Sequence, residues 1–236
     1  MQQDTNELGQ PIGFPLPNWS SPKRPQREVV TGRFCRLEPL STDVHAADLH
    51  VANVLDVNGA MWTYLPYGPF ESLESYCTWT TEMSLASDPL LFAIVDVATN
   101  KAAGVAAYLR IDPKNGSIEV GHLNFSPLLK RTPAATEAMF LMMEWAFTLG
   151  YRRYEWKCNA LNAPSRASAE RLGFTFEGIF RQATIVKGRS RDTAWFSVID
   201  SEWPALRERF HSWLAPENFD ENGRQRTRLQ EIEVHC

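Results

Sequence analysis

Apolar and polar positions fall into two rhythms along this chain, one of period two and one close to 3.6. Residues 28–40 set Val29, Val30, Phe34 and Leu37 among polar neighbours, which predicts a strand. Helical patterns follow at about 43–56 and 71–86, the second opening from Pro69 and Glu71. Three strand-like runs come next, Leu90–Val97, Ala102–Ile111 and Ser117–Phe125. Turn signals at Thr99-Asn100-Lys101 and at Pro113-Lys114-Asn115-Gly116 separate them, so an antiparallel meander is expected.

The segment 126–150 carries the sharpest pattern. Thr132 is a good N-cap residue, and Pro133 stands where proline is tolerated at the first helical position. From Ala138 through Phe147 apolar side chains cover nearly the whole helical surface, which predicts a helix buried inside the domain. Gly150 supplies the stop. Tyr154, Trp156 and Cys158 then alternate with Arg153, Glu155 and Lys157 as a strand, and Asn162 caps a short helix ending at Gly173. Two closing strands, about 174–186 and 192–199, flank a Lys187-Gly188 turn, and a last helix runs from Glu202 to Leu214.

The ends read differently. Residues 1–27 hold five prolines and little periodicity, which predicts an extended arm; Phe14, Leu16 and Trp19 give it something to pack with. Residues 216–236 mix acidic and arginine side chains without a sustained apolar face, the pattern of a solvated or partner-contacting tail. The division expected is therefore arm 1–27, one domain 28–215 and tail 216–236.

Composition narrows the class. With 236 residues, 44% hydrophobic and 22% charged, the chain can bury a substantial core, which excludes disordered, collagen-like and disulfide-stapled classes. A net charge of −4 disfavours nucleic acid as the main partner and favours a cationic acceptor over an anionic one. No apolar run approaches the roughly 20 residues of a membrane helix, and the polar N-terminus is unlike a signal peptide. Cys35, Cys77, Cys158 and Cys236 show no metal spacing, so no metal and a reduced, cytoplasmic setting are expected.

Lys130-Arg131-Thr132 lies between a strand and the start of the buried helix. Unpaired amides and the helix dipole favour an anion there, and two cations strengthen it, although the pair also fits a solvated loop. Neither a P-loop nor a dinucleotide fingerprint is present. The run Ser126-Pro127-Leu128-Leu129-Lys130-Arg131-Thr132-Pro133-Ala134-Ala135-Thr136-Glu137-Ala138 resembles the pyrophosphate loop of the GNAT superfamily of N-acetyltransferases, nearest to its RimJ/RimL-type branch. Ile118-Glu119-Val120-Gly121, Asn162-Ala163-Pro164-Ser165, Arg171-Leu172-Gly173-Phe174 with Glu177-Gly178, and Arg191-Asp192 match in order. Coverage runs from about Gly32 to Pro204.

The resemblance implies an α/β GNAT fold: a mixed sheet with a meander, helices on both faces, and two splayed parallel strands, about 118–125 and 153–159, around an acyl-CoA cleft. It implies acetyl-CoA as co-substrate, with the pyrophosphate on amides of residues 131–135 and on Lys130, Arg131 and Thr132. Ala134 and Ala135 belong to that set; Pro133 stands where the family usually has glycine and has no N–H to donate. Asn162 would hold the pantetheine arm or serve only as an N-cap, and amides near Leu123–Phe125 would face the oxyanion.

For acetyl transfer to an amine, Glu119 is the first candidate base and His122 the second, since strand alternation puts His122 on the opposite face unless a bulge changes register. Ser165 occupies the position of the general acid proposed for RimL-like members; Ala169 replaces the tyrosine used elsewhere in the family, and Thr184 stands where the branch carries a second carboxylate. Trp62 and Tyr64, in an aromatic loop with Tyr67 and Phe70, form either an acceptor wall or a plug over the core. Arg181, Arg191 and Asp192 are read as acceptor contacts or as a structural Arg–Asp pair. The expected activity is acetyl-CoA-dependent N-acetylation of a protein N-terminus or small amine by direct attack, in a monomer or homodimer without nucleic-acid or membrane partners. The alternative is a non-catalytic acyl-CoA-binding module.

Overall fold

The computed structural model describes residues 3–233, so Cys236 and the extreme ends of the arm and tail lie outside the described residues. A small hairpin, β1 (Gln3–Thr5) and β2 (Pro11–Gly13), precedes the body. Then follow β3 (Val30–Thr31), β4 (Cys35–Pro39), α1 (Thr42–Asn53), α2 (Leu73–Leu85) and the meander β5 (Leu90–Asp96), β6 (Lys101–Asp112), β7 (Ser117–Phe125). The second half holds α3 (Pro133–Thr148), β8 (Arg153–Asn159), α4 (Ala163–Arg171), β9 (Thr175–Val186), β10 (Arg189–Ile199) and α5 (Trp203–Leu214).

Eight strands make one sheet in the order β3-β4-β5-β6-β7-β8-β10-β9. Every neighbouring pair is antiparallel except β7 and β8. A parallel pair inside such a sheet needs a crossover, and α3 provides it. One face of the sheet packs Leu49, Tyr76, Leu91 and Val105 with α1 and α2. The other face packs Phe92, Ile118 and Tyr154 with α3 and α5. The expected α/β GNAT fold is thus observed, with helices on both faces.

The all-round apolar α3 is buried from Ala134 to Ala146 apart from a few positions, as its pattern predicts. Its one buried carboxylate has a structural task. Glu137, 4% exposed, accepts the backbone N–H groups of Arg33, Phe34 and Cys35 at 2.8, 2.6 and 2.8 Å. This explains why the single strand expected over 28–40 is two: the chain turns at Gly32–Phe34 to deliver three amides to Glu137, and β-pairing cannot run through that turn.

The arm packs on the body, with Trp19 among the contacts as its aromatic residues predict. Trp19 lies over Gly116, where an added Cβ would fall 2.2 Å from the indole, and Arg24 donates to the carbonyls of Ile111 and Ser87. Gly116 has φ +66°, so this turn needs glycine for both backbone and space. The tail differs from a solvated segment in the same way. Leu229 is buried in the main core, and Phe219 packs edge-on against Phe34 and Trp213. With Ile232 they make three isolated apolar anchors, and isolated anchors leave no periodicity to read.

Candidate active site

β7 and β8 are paired only over Ser117–Val120 against Arg153–Trp156. Beyond that point each strand stays paired with its outer neighbour, β6 or β10, while the two part from each other. The parting opens a cleft of about 210 Å³, walled by Glu119, His122 and Leu123 of β7, Trp156–Asn159 of β8, and Asn162 and Ser165 around the start of α4. Tyr64 and Arg110 close one side, and Arg191 of β10 also lines it.

Local irregularities aim these side chains. His122 has φ +50°, and the β6–β7 register shifts between Val105 and Ala107, so β7 is bulged there. The bulge turns His122 into the same cleft as Glu119, the exception on which its candidacy depended. Arg110 likewise has φ +48°, and its amide and that of Ile111 are held by the Asp88 carboxylate at 3.0 Å each. Non-glycine residues in this region are strained, and two of them face one cleft.

Glu119, 3% exposed, sits between two cations: Arg110 Nη1 is 2.7 Å from Oε1, and Lys157 Nζ is 2.9 Å from Oε2. Burial pushes its carboxyl above the ordinary range, against the opposing pull of Lys157 and Arg110. Lys157 lies 2.7 Å from Glu155 and stands 3.7 Å from the Trp195 ring centre. Arg153 continues the network to Glu155 and Glu177.

His122 is held below its usual range by burial first and by the neighbouring Arg110 charge second. Its imidazole is therefore neutral near pH 7. Nδ1 is 3.2 Å from the Tyr67 hydroxyl, and the two rings are stacked. Ser165 Oγ accepts the indole N–H of Trp156 at 3.1 Å, and its own hydroxyl faces the Cys158 sulfur, a weak acceptor. The Cys158 thiol is raised by burial and is a packed, inert group.

The loop before α3 carries fewer free amides than its sequence promises. Thr132 Oγ1 accepts the N–H of Ala135 at 3.2 Å, while the Thr132 amide bonds Leu129. Pro133 has no N–H. Of residues 131–135, this leaves the amides of Arg131 and Ala134, beside the exposed side chains of Lys130 and Arg131. Arg131 itself has φ +64°, a third strained non-glycine residue. Two amides, two cations and the dipole of α3 fit a pyrophosphate, with the side chains carrying more of the load than usual.

Several expected residues are placed elsewhere. Trp62 is buried against Tyr67 and Phe70, the plug of the two readings, whereas Tyr64 lines the cleft and donates to the Leu161 carbonyl. Phe125 packs on the core and does not line the cleft. Arg181 is exposed, and Asp192 accepts the Gln182 amide at 2.7 Å, so among the described residues no Arg–Asp pair forms there. Asn162 accepts the Ser165 amide at 3.2 Å, its N-cap role, and also lines the cleft. Arg110 and Lys157 were not singled out from sequence as parts of the site, and Tyr67 was named only with the aromatic loop, not as a partner of His122. Lys187 is another: its ammonium donates to the Trp62 and Gly68 carbonyls, both at 2.8 Å, tying the β9–β10 turn to the aromatic loop.

Comparison with known proteins places this geometry. A family model described as an acetyltransferase (GNAT) domain matches residues 35–175. A crystal structure of a GCN5-related N-acetyltransferase from Brucella melitensis is 51% identical, covers 92% of this chain and 98% of that one, and has a TM-score of 0.90. An uncharacterized N-acetyltransferase p20 from Bacillus licheniformis is 29% identical over 123 residues, 52% of this chain and 68% of its own length. The microcin C7 self-immunity acetyltransferase MccE, solved with acetyl-CoA and AMP, shares the fold at 21% identity and a TM-score of 0.63, over 71% of this chain and 93% of that one.

Proposed function

The chain belongs to the GNAT acetyltransferase family and is an acyltransferase, and we propose that it moves an acetyl group from acetyl-CoA to a primary amine by direct attack. The observation that carries this reading is the parting of β7 from β8, which brings a neutral imidazole, a buried carboxylate and a serine hydroxyl to one cleft. GNAT enzymes use acetyl-CoA, which supplies the activated acyl carbonyl. Lys130, Arg131 and the amides of Arg131 and Ala134 would hold its pyrophosphate, and Leu123, Asn162 and Ser165 line the path to the reacting end.

The amine must shed a proton, and two groups compete to take it. Both oxygens of Glu119 are engaged by cations, so protonation there breaks two ion pairs. His122 is neutral and makes no ion pair among the described residues; with Nδ1–H donated to the Tyr67 oxygen, Nε2 is free to accept. We therefore assign the base to His122 and give Glu119 the task of fixing Arg110 and Lys157. Ser165 donates toward the departing sulfur, and backbone amides of the β7 bulge face the developing oxyanion.

The acceptor is an N-terminal or small-molecule amine; structures sharing the fold include ribosomal L7/L12 N-acetyltransferases. The described helices include none long and apolar enough to cross a membrane, and we place the activity in the cytoplasm, in the body 28–215. The deciding experiment is thermal unfolding with saturating acetyl-CoA against CoA and ATP, followed by CoA release with amines. Ligand at about 100 times its Kd adds about 2.7 kcal/mol, or roughly 5–10 °C. A shift with the coenzyme and none with ATP supports the reading; no shift with acetyl-CoA ends it.

A further inference from the structure

The charges lining the cleft do not balance. Three cations face it, Arg110, Lys157 and Arg191, against one carboxylate, Glu119. Glu119 pairs with Arg110 and Lys157, and Glu155 from behind also pairs with Lys157. Arg191 is left over. Among the described residues its guanidinium makes no ion pair or hydrogen bond, and its Nε is buried without a partner.

A half-buried guanidinium without a counter-ion is costly, and it loses that cost when an anion arrives. The pantetheine and acyl parts of acetyl-CoA carry no charge, and the pyrophosphate has its own cations at Lys130 and Arg131. The remaining molecule that enters the cleft is the acceptor. We propose that the acceptor is an amine that also carries a carboxylate, a free amino acid or close analogue, and that Arg191 binds this carboxylate. This rests on the acetyltransferase reading above and names its substrate class. It also reverses the preference for a cationic acceptor drawn from net charge: −4 is spread over the whole surface, whereas the cleft itself carries a cationic surplus.

Geometry sets the size of the acceptor. A cleft of about 210 Å³ that also takes the acetyl end admits a small molecule, and Lys187 fastens the aromatic loop across its side. Arg191 stands on β10, with β8 between it and the β7 residues Glu119 and His122, and all three line the one cleft, so an amine at His122 and a carboxylate at Arg191 share that space.

Matched acceptors test the inference. The α-, β- and γ-amino acids are compared with their carboxamides by CoA release from acetyl-CoA, and the N-acetylated acids and amides are compared as stabilisers of the CoA-bound protein. The expected result is a preference for acids of about tenfold or more in kcat/KM. Arg191→Gln removes the gap, Arg191→Lys keeps part of it, and acetyl-CoA still stabilises both variants, which shows that the fold and cofactor site persist. The inference is overturned if amides match acids, or if Arg191→Gln slows both equally, which assigns the guanidinium to the departing thiolate. It is equally overturned if no acid is turned over or stabilises while acetyl-CoA binds. Absence of any acetyl-CoA shift in the unaltered protein is a different failure: it removes the acetyltransferase reading and this inference with it.

Discussion

The His122 imidazole and the Tyr67 phenol lie nearly parallel, 6° apart with ring centres 5.6 Å from each other, and the phenol oxygen is 3.2 Å from Nδ1. One neighbour therefore restrains the plane of the proposed base and gives its Nδ1 a hydrogen-bond partner. Tyr67→Phe keeps the stack and removes the hydroxyl. Steady-state kinetics should show kcat reduced about tenfold with KM for acetyl-CoA unchanged, and His122→Gln should cost about 10² or more. An equal rise in KM for acetyl-CoA would contradict the assignment.

Because burial holds His122 below its ordinary 6.5, its neutral form persists into mildly acid solution. The acid limb of kcat/KM should lie below pH 6.5, and Arg110→Gln, by removing the second cause, should move it upward. Stability follows the same sign. The folded protein binds fewer protons at this site than the unfolded chain, so stability is full above 6.5 and falls as pH drops toward the folded value. A pH–rate profile with its midpoint above 6.5 would defeat both statements.

Arg131 combines a left-handed φ of +64° with a cation in the loop proposed to hold the pyrophosphate. Arg131→Gly should separate the two effects. Relief of strain, less the entropy of glycine, adds about 0.5–1 kcal/mol to the unliganded protein. Acetyl-CoA binding should meanwhile weaken several-fold at low salt and lose part of its salt dependence. Calorimetry at two ionic strengths checks both arms.

Glu137 holds three amides by one side chain, so its loss reaches far from α3. Glu137→Ala leaves three donors unpaired, the Cys35 amide buried and the other two partly so, and should cost about 3–5 kcal/mol, a fall in Tm of about 10 °C or more. Glu137→Gln should retain part of this, because one oxygen accepts two of the three bonds. Thermal unfolding without ligand is the measurement.

Lys187 reaches from the β9–β10 turn to two carbonyls of the aromatic loop. The loop is already tight: an added Cβ at Gly68, where φ is +64°, would lie 2.4 Å from the Trp62 ring. Lys187→Met should free one side of the cleft and raise KM for the acceptor about tenfold, leaving stabilisation by acetyl-CoA intact. An unchanged acceptor KM would show that the tie is structural only.

What the sequence made legible was what repeats or caps. The meander, the buried helix after Thr132 and the N-cap at Asn162 rest on periodicity and local chemistry, and they stand where expected. The break in the first strand was hidden because its cause, Glu137, lies over a hundred residues away and resembles any early-helix acid. Arg110 was equally hidden: nothing in its neighbourhood announces that Asp88 will hold a strained turn and aim it at Glu119. The roles of Glu119 and His122 depended on a bulge, and a bulge is set by pairing between strands. Arg191 was visible as a cation; that it lacks a partner is a property of the assembled cleft.

The division between β7 and β8 has a mechanical meaning as well. β3 to β7 form one continuous leaf and β8 to β10 another, and the two are stitched by backbone pairing only from Ser117 to Val120. Helix α3 spans the back, while on the open side the Glu119–Lys157 ion pair, the Lys187 tie and the Tyr64 hydroxyl on the Leu161 carbonyl cross the seam. Such a sheet flexes like a book on a short spine, and whatever lies between its pages acts as a splint. Amide hydrogen exchange should then be fastest along the open edges, at Gly121–Leu123 and Lys157–Asn159, and should slow there first when the cleft is filled.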